Sequence, residues 1–268
     1  MSQFLYGAHI QANGIRQHYL RYGGKGLPLL LIPGITSPAI TWGFVGERLG
    51  ENFDVYLLDV RGRGLSSAGE TLDYSLDAQA DDIAAFAVAL QLERFAVIGH
   101  SMGGRIALRM ASRHQPAALE RLVLVDPPVS GPGRRPYPAQ LSWYIDSIRQ
   151  ATQGMDAEAM RAFCPSWSLE QRRLRAEWLH TCDERAVRTS FTGFQQDDIH
   201  QDLPRIRVPV HLIIAGGAEV ILPSEEQELR AQLPQLSVAR VADAGHMIPW
   251  DDEAGFYAAF GDFLGTSV

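Results

Sequence analysis

Phe95-Ala-Val-Ile-Gly99-His100-Ser101-Met102-Gly103-Gly104 is the stretch that decides the fold. Its first half is a short apolar run suited to a buried strand, and an amphipathic helical pattern begins near Met102 and continues to about Arg113. Between the two stands Gly-x-Ser-x-Gly, whose glycines flank the serine on a turn too sharp for side chains at those positions. A serine carried there is held clear of the sheet, at the positive end of a helix. Ser101 is therefore the expected nucleophile.

The same rhythm extends in both directions from this element. Short apolar runs recur at Leu29 to Ile32, Val55 to Leu58, Leu122 to Val125, Val210 to Ile214 and Val238 to Val241, the pattern of parallel strands covered on both faces. Helical stretches alternate with them, over Ala39 to Leu49, Asp77 to Leu90, Ser224 to Gln232 and Asp251 to Leu264. Asn13-Gly14 between two alternating segments predicts a tight hairpin at the start. The class is α/β, with a mostly parallel, doubly wound sheet. From Ser130 to about Leu203 no strand-like run occurs, and the segment opens with Gly-Pro-Gly-Arg-Arg-Pro-Tyr-Pro. Residues 130–203 are expected to form a helical cap inserted into a core made of residues 1–129 and 204–268. Trp143, Trp167, Trp178, Phe191 and Phe194 would pack that layer, with some facing the cleft.

A serine hydroxyl becomes nucleophilic only when a base accepts its proton. His246, in Ala-Gly-His-Met-Ile-Pro after the last apolar run, lies on a loop that can return to Ser101. The other histidines sit in contexts suited to structural roles, and His100, although adjacent to the nucleophile, is expected to point elsewhere. Two amides should form an oxyanion hole, that of Met102 after the nucleophile and that of Ile35 in Pro33-Gly34-Ile35 after the first parallel strand. Two carboxylates compete to orient the imidazole. Glu219 stands four residues before Pro223 in the segment after the cap, and Asp126 ends the strand Leu122 to Val125 and is fixed by Pro127-Pro128. Asp59 reads as a loop-shaping residue, and Asp243 is too near His246 in sequence. The Asp81-Asp82 and Asp197-Asp198 pairs read as solvated faces, so no metal site is expected.

Composition narrows the partners. The net charge is −7 and the only lysine is Lys25, followed by Gly-Leu where a phosphate loop needs Ser or Thr. An acidic balance argues against nucleic acid, which demands a cationic surface. No apolar run is long enough to span a bilayer, no secretory signal is visible, and Cys164 and Cys182 have neither disulfide-framework nor metal spacing. A cytoplasmic protein acting on a small molecule without a cofactor is expected, its oligomeric state unspecified.

With these residues assembled, the chain resembles the α/β-hydrolases over nearly its full length. More narrowly it is similar to the N-formylmaleamate deformylases of bacterial nicotinate degradation. The likeness rests on Asn13-Gly-Ile-Arg-Gln-His-Tyr-Leu-Arg-Tyr-Gly-Gly, Pro33-Gly-Ile-Thr-Ser-Pro-Ala-Ile-Thr-Trp-Gly, Asp126-Pro-Pro-Val-Ser-Gly-Pro-Gly-Arg-Arg and Ala244-Gly-His-Met-Ile-Pro-Trp-Asp-Asp. In that family the acid follows the strand before the cap, which implies Asp126 rather than Glu219. The resemblance further implies hydrolysis of an N-formyl imide to formate and maleamate. The substrate's carboxylate would then need a cation, for which Arg134 or Arg135 at the cap entrance is a candidate. A carboxylesterase or a carbon–carbon bond hydrolase would use the same triad, and a ligand receptor would keep only the cleft. An epoxide or haloalkane hydrolase needs a carboxylate where Ser101 stands.

Overall fold

The computed structural model describes residues 1–266 and Val268. Strands β1 (Phe4–Ala12) and β2 (Ile15–Tyr22) form the hairpin, with Asn13 and Gly14 at φ 48° and 72°, the positive values a type I′ turn requires. β3 (Pro28–Ile32), β4 (Asp54–Leu58), β5 (Phe95–His100), β6 (Leu119–Val125), β7 (Val210–Ala215) and β8 (Leu236–Val241) follow. They join one eight-stranded sheet in the order β1-β2-β4-β3-β5-β6-β7-β8. Only the β1–β2 and β2–β4 pairings are antiparallel.

Alternate residues of the apolar strands feed two cores. Leu30, Ile32, Val97, Leu122 and Leu124 face α2 (Leu76–Ala89) and α3 (Met102–His114), whereas Leu29, Leu31, Ile98, Val123 and Val125 face α1 (Gly43–Leu49) and the C-terminal helices. Burial on both sides is why these strands carry continuous apolar runs. The strand order reverses at β3, between β4 and β5. Their carboxyl ends therefore open a crevice at the point where doubly wound sheets place ligands.

Between β6 and β7 lie α4 (Leu141–Thr152), α5 (Leu169–Trp178) and α6 (Glu184–Gln196). Two buried arginines of the core hold this helical layer, through main-chain carbonyls and the Ser190 hydroxyl. Arg105 donates to Pro128 O and Ser130 O at 2.9 Å and to Asp197 O at 2.7 Å, and Arg63 donates to Ala186 O at 3.2 Å and Ser190 Oγ at 2.9 Å. Burial pushes both guanidinium groups down to about 10, which still leaves them charged at neutral pH.

Two expectations need correction. The helix expected over Asp251 to Leu264 is two helices after α7 (Pro223–Gln232): α8 (Ile248–Asp251) and α9 (Glu253–Phe260). Asp252 breaks them at φ −147°, its carboxylate accepting from Gly255 N at 2.8 Å to cap α9. Asp82 is buried rather than solvated, because Arg61 donates to both of its oxygens, at 2.6 and 2.5 Å.

Candidate active site

β5 and β6 end in register, His100 opposite Val125. The next residue on each strand, Ser101 and Asp126, turns out of the sheet with positive φ, 54° and 46°. Neither is glycine, and such a conformation costs an L-residue on the order of 1–3 kcal/mol. Main-chain bonds at 2.8 Å from Ser101 N to Val125 O and from Asp126 N to Ile213 O hold the two turns. The approach of α3 to the sheet explains the glycines. A Cβ on Gly99 would strike the main chain of Gly103, and one on Gly103 would strike the carbonyl of Ile32. Ser101 occupies the N-cap of α3 without capping it, so its hydroxyl is free to point elsewhere.

That hydroxyl meets His246 Nε2 at 2.9 Å, and His246 Nδ1 meets Asp126 Oδ2 at 2.7 Å. The Asp126 side chain is fully buried, and its other oxygen accepts from Ala215 N at 3.2 Å. A buried carboxylate can only accept here, so the imidazole proton resides on Nδ1 and the lone pair on Nε2 faces Ser101. Glu219, the competing acid, lines the same cavity but is exposed and has no hydrogen bond among the described residues.

The Ile35 and Met102 amides belong to buried residues, and neither has an acceptor among the described residues. Arg63, to which the sequence assigned no role, lies against both residues. Its Nε donates to Ile35 O at 3.0 Å, and its terminal nitrogen lies 3.4 Å from Met102 Sδ. Ile35, Ser101 and His246 open onto a cavity of about 740 Å³ roofed by aromatic side chains of the segment between β6 and β7, among them Tyr137, Trp143, Tyr144 and Trp167.

Residues 28–253 match the family model described as the alpha/beta hydrolase fold. The chain belongs to the α/β-hydrolase family. It is 63% identical to the N-formylmaleamate deformylase of Pseudomonas putida over 264 residues, 98% of each chain. A crystal structure of a serine-to-alanine variant of the N-formylmaleamic acid deformylase from another Pseudomonas putida strain superposes with a TM-score of 0.92. The identity there is 57%, covering 96% of this chain and all of that one. An esterase from Exiguobacterium antarcticum, 20% identical with a TM-score of 0.81 over 97% of this chain and all of its own, shares the fold.

Within this α/β-hydrolase frame, the structure corrects two further expectations. Arg134 and Arg135 do not reach the cavity. Arg134 forms a two-pronged pair with Glu228 at 2.6 and 2.7 Å, and Arg135 one with Glu225 at 2.9 and 3.2 Å, so both fasten the start of the insertion to α7. Among the described residues, the arginine or lysine that lines the cavity is Arg175, on α5. Helical spacing carries a signal for it, since Arg175, Ala176 and Leu179 share one buried face while Arg173 is exposed.

His100 does not point away from the site. Its Nε2 lies 2.9 Å from His246 O, and the two rings stand 5.0 Å apart. Burial foremost, and then the neighbouring His246, push His100 down to about 3. The ring is therefore neutral and donates from Nε2 to the carbonyl, holding the main chain of the loop that carries His246.

Among the described residues, no cluster of three or more histidine, cysteine or acidic side chains is placed to hold a metal ion. No helix among them is long and apolar enough to cross a membrane.

Proposed function

We propose that the protein is an N-formylmaleamate deformylase, hydrolysing the formyl carbon–nitrogen bond with Ser101 as nucleophile, His246 as general base and Asp126 as the acid that orients it. The observation that carries this mechanism is the unbroken hydrogen-bonded series Ser101 Oγ, His246 Nε2, His246 Nδ1, Asp126 Oδ2 at the floor of the cavity. Likeness to two deformylases over nearly the whole chain supports the substrate.

The steps follow from that proton arrangement. His246 Nε2 takes the Ser101 proton as Oγ attacks the formyl carbon, and the Ile35 and Met102 amides receive the oxyanion. The imidazolium, steadied by Asp126, then protonates the departing nitrogen, so maleamate leaves as a neutral amide rather than a strongly basic anion. Water, giving its proton to His246, attacks the formyl ester on Ser101 and releases formate. In this reading residues 130–203 act as a cap over the core of residues 1–129 and 204–268, limiting water at the first step. Nicotinate degradation in the cytoplasm is the setting that goes with this substrate.

Purified protein incubated with N-formylmaleamate should yield formate and maleamate in equal amounts. Turnover of small aryl esters with no formate from N-formylmaleamate would leave an esterase and sink the deformylase reading.

His100 should act as a positioning residue. His100→Ala frees the His246 main chain, and kcat is expected to fall by about 10- to 100-fold with a smaller change in KM, because a displaced base costs rate more than ground-state binding. The same ring sets an acid limb in stability. Its folded value of about 3 lies below the 6.5 of a free histidine, so the unfolded chain binds the extra proton first. The contribution is complete above pH 6.5 and is lost as the pH falls from 6.5 towards 3. Melting temperatures across that window should fall less steeply for His100→Ala than for the wild type.

A further inference from the structure

We propose that Arg175 is the residue that binds the substrate's carboxylate, with a guanidinium already fastened to the oxyanion loop. The proposal rests on the deformylase reading for the identity of the anion, but the site is argued from the chain's own electrostatics. Arg175 is only 4% exposed and is, among the described residues, the one arginine or lysine lining the cavity. Two terminal nitrogens each donate to Thr36 at 3.1 Å, one to its main-chain oxygen and one to Oγ1. Its Nε is buried with no partner. A guanidinium carries five N–H donors, so more than half of this one's capacity is unspent.

The chain's other arginines show how unusual that is. Arg61 has Asp82, Arg109 has Asp202, Arg134 has Glu228 and Arg135 has Glu225. Arg63 and Arg105 also lack a carboxylate, but they spend their donors on main-chain carbonyls and, for Arg63, on Ser190 Oγ and Met102 Sδ, and they do not line the cavity. Arg175 alone combines burial, unspent donors, a cavity wall and no ion pair among the described residues. Leaving a buried charge unpaired is costly, and an arriving anion relieves that cost. Two carboxylates of the same cavity, Glu219 and Asp251, make no ion pair with it, so the completing anion comes from outside.

The surroundings suit a planar carboxylate. The guanidinium carbon lies 5.7 Å from the ring centroids of both Trp143 and Trp167, which fix its plane and keep water from its faces. A fork of N–H groups held in one plane matches two carboxylate oxygens in a way an ammonium cannot. Thr36 adjoins Ile35, so the group that grips the far end of the substrate also bears on an oxyanion donor. Binding energy from the remote carboxylate is thereby available at the reacting carbonyl. N-formylmaleamate carries its formyl group and its carboxylate at opposite ends, as this arrangement needs.

The test compares maleamate with maleamide, its neutral amide of the same shape, by titration calorimetry on the wild type, Arg175→Lys and Arg175→Met. The wild type should prefer maleamate by about 10²-fold, the scale of a buried, hydrogen-bonded charge pair. Arg175→Met should bind the two equally, and Arg175→Lys should keep less than a tenth of the preference, because a point charge restores attraction without the fork. A purely structural Arg175 would weaken both ligands together and leave their ratio intact. A preference that survives undiminished in either folded variant, or that is missing from the wild type, overturns the proposal. Formate release is scored separately. A wild type that discriminates through Arg175 yet releases no formate refutes the deformylase reading and leaves the carboxylate site standing.

Discussion

Ser101→Ala should lower kcat for N-formylmaleamate by about 10⁶-fold, the scale seen when a serine hydrolase loses its nucleophile. The loss is that large because the series of bonds acts as a unit. Without Oγ, His246 has no proton to accept and Asp126 no developing imidazolium to steady. A residual rate of about 10³ over water should persist, since the Ile35 and Met102 amides still receive an oxyanion when water attacks directly. Among the described residues, no other hydroxyl of the cavity is hydrogen-bonded to His246 Nε2. Cys164 lines the cavity, but burial raises its thiol above the usual range, so at neutral pH it remains protonated and unreactive. The substitution should leave folding nearly unchanged, because alanine occupies φ 54° at much the same cost as serine and the lost bond is a single one. Stopped release of formate in a folded protein would also dismiss a receptor that merely holds its ligand. Retained turnover would place the nucleophile elsewhere.

The framework was legible because its signals are local. Each parallel strand announces itself as a short apolar run, Asn13-Gly14 encodes its own turn, and the glycines around Ser101 mark a close approach of helix to sheet. His246 was legible from chain order, lying after the last strand. What sequence could not show is which partner a polar side chain meets. Arg134 and Arg135 were plausible anion binders until Glu228 and Glu225, some 90 positions away, proved to hold them. His100 looked idle because its acceptor is a main-chain carbonyl 146 residues distant. Arg175 was hidden for the opposite reason. Its significance lies in the partner it lacks, and only a three-dimensional accounting of donors reveals an unspent one. The same holds for Asp82, whose burial depends on Arg61 reaching over it.

Asp126→Asn should cost about 10⁴-fold in kcat, while Glu219→Gln should change it by less than threefold. The geometry explains why so small a change matters. Ala215 N–H donates to Oδ1 at 3.2 Å, so that position must remain an acceptor after the substitution. The amide oxygen is drawn to it, and the NH₂ group is left facing His246 Nδ1. A donor there forces Nδ1 to become the acceptor, which moves the imidazole proton to Nε2. An Nε2 that already carries a proton cannot accept one from Ser101, so the base is disabled without any atom having moved far. Burial allows no water to mediate, since the Asp126 side chain is fully enclosed. Glu219 faces solvent, holds no hydrogen bond among the described residues and has no proton arrangement to disturb. Steady-state rates of both variants across a range of pH separate the two carboxylates. A collapse in Glu219→Gln with Asp126→Asn near the wild-type rate would give the orienting role to the exposed acid and require the imidazole loop to turn during the reaction.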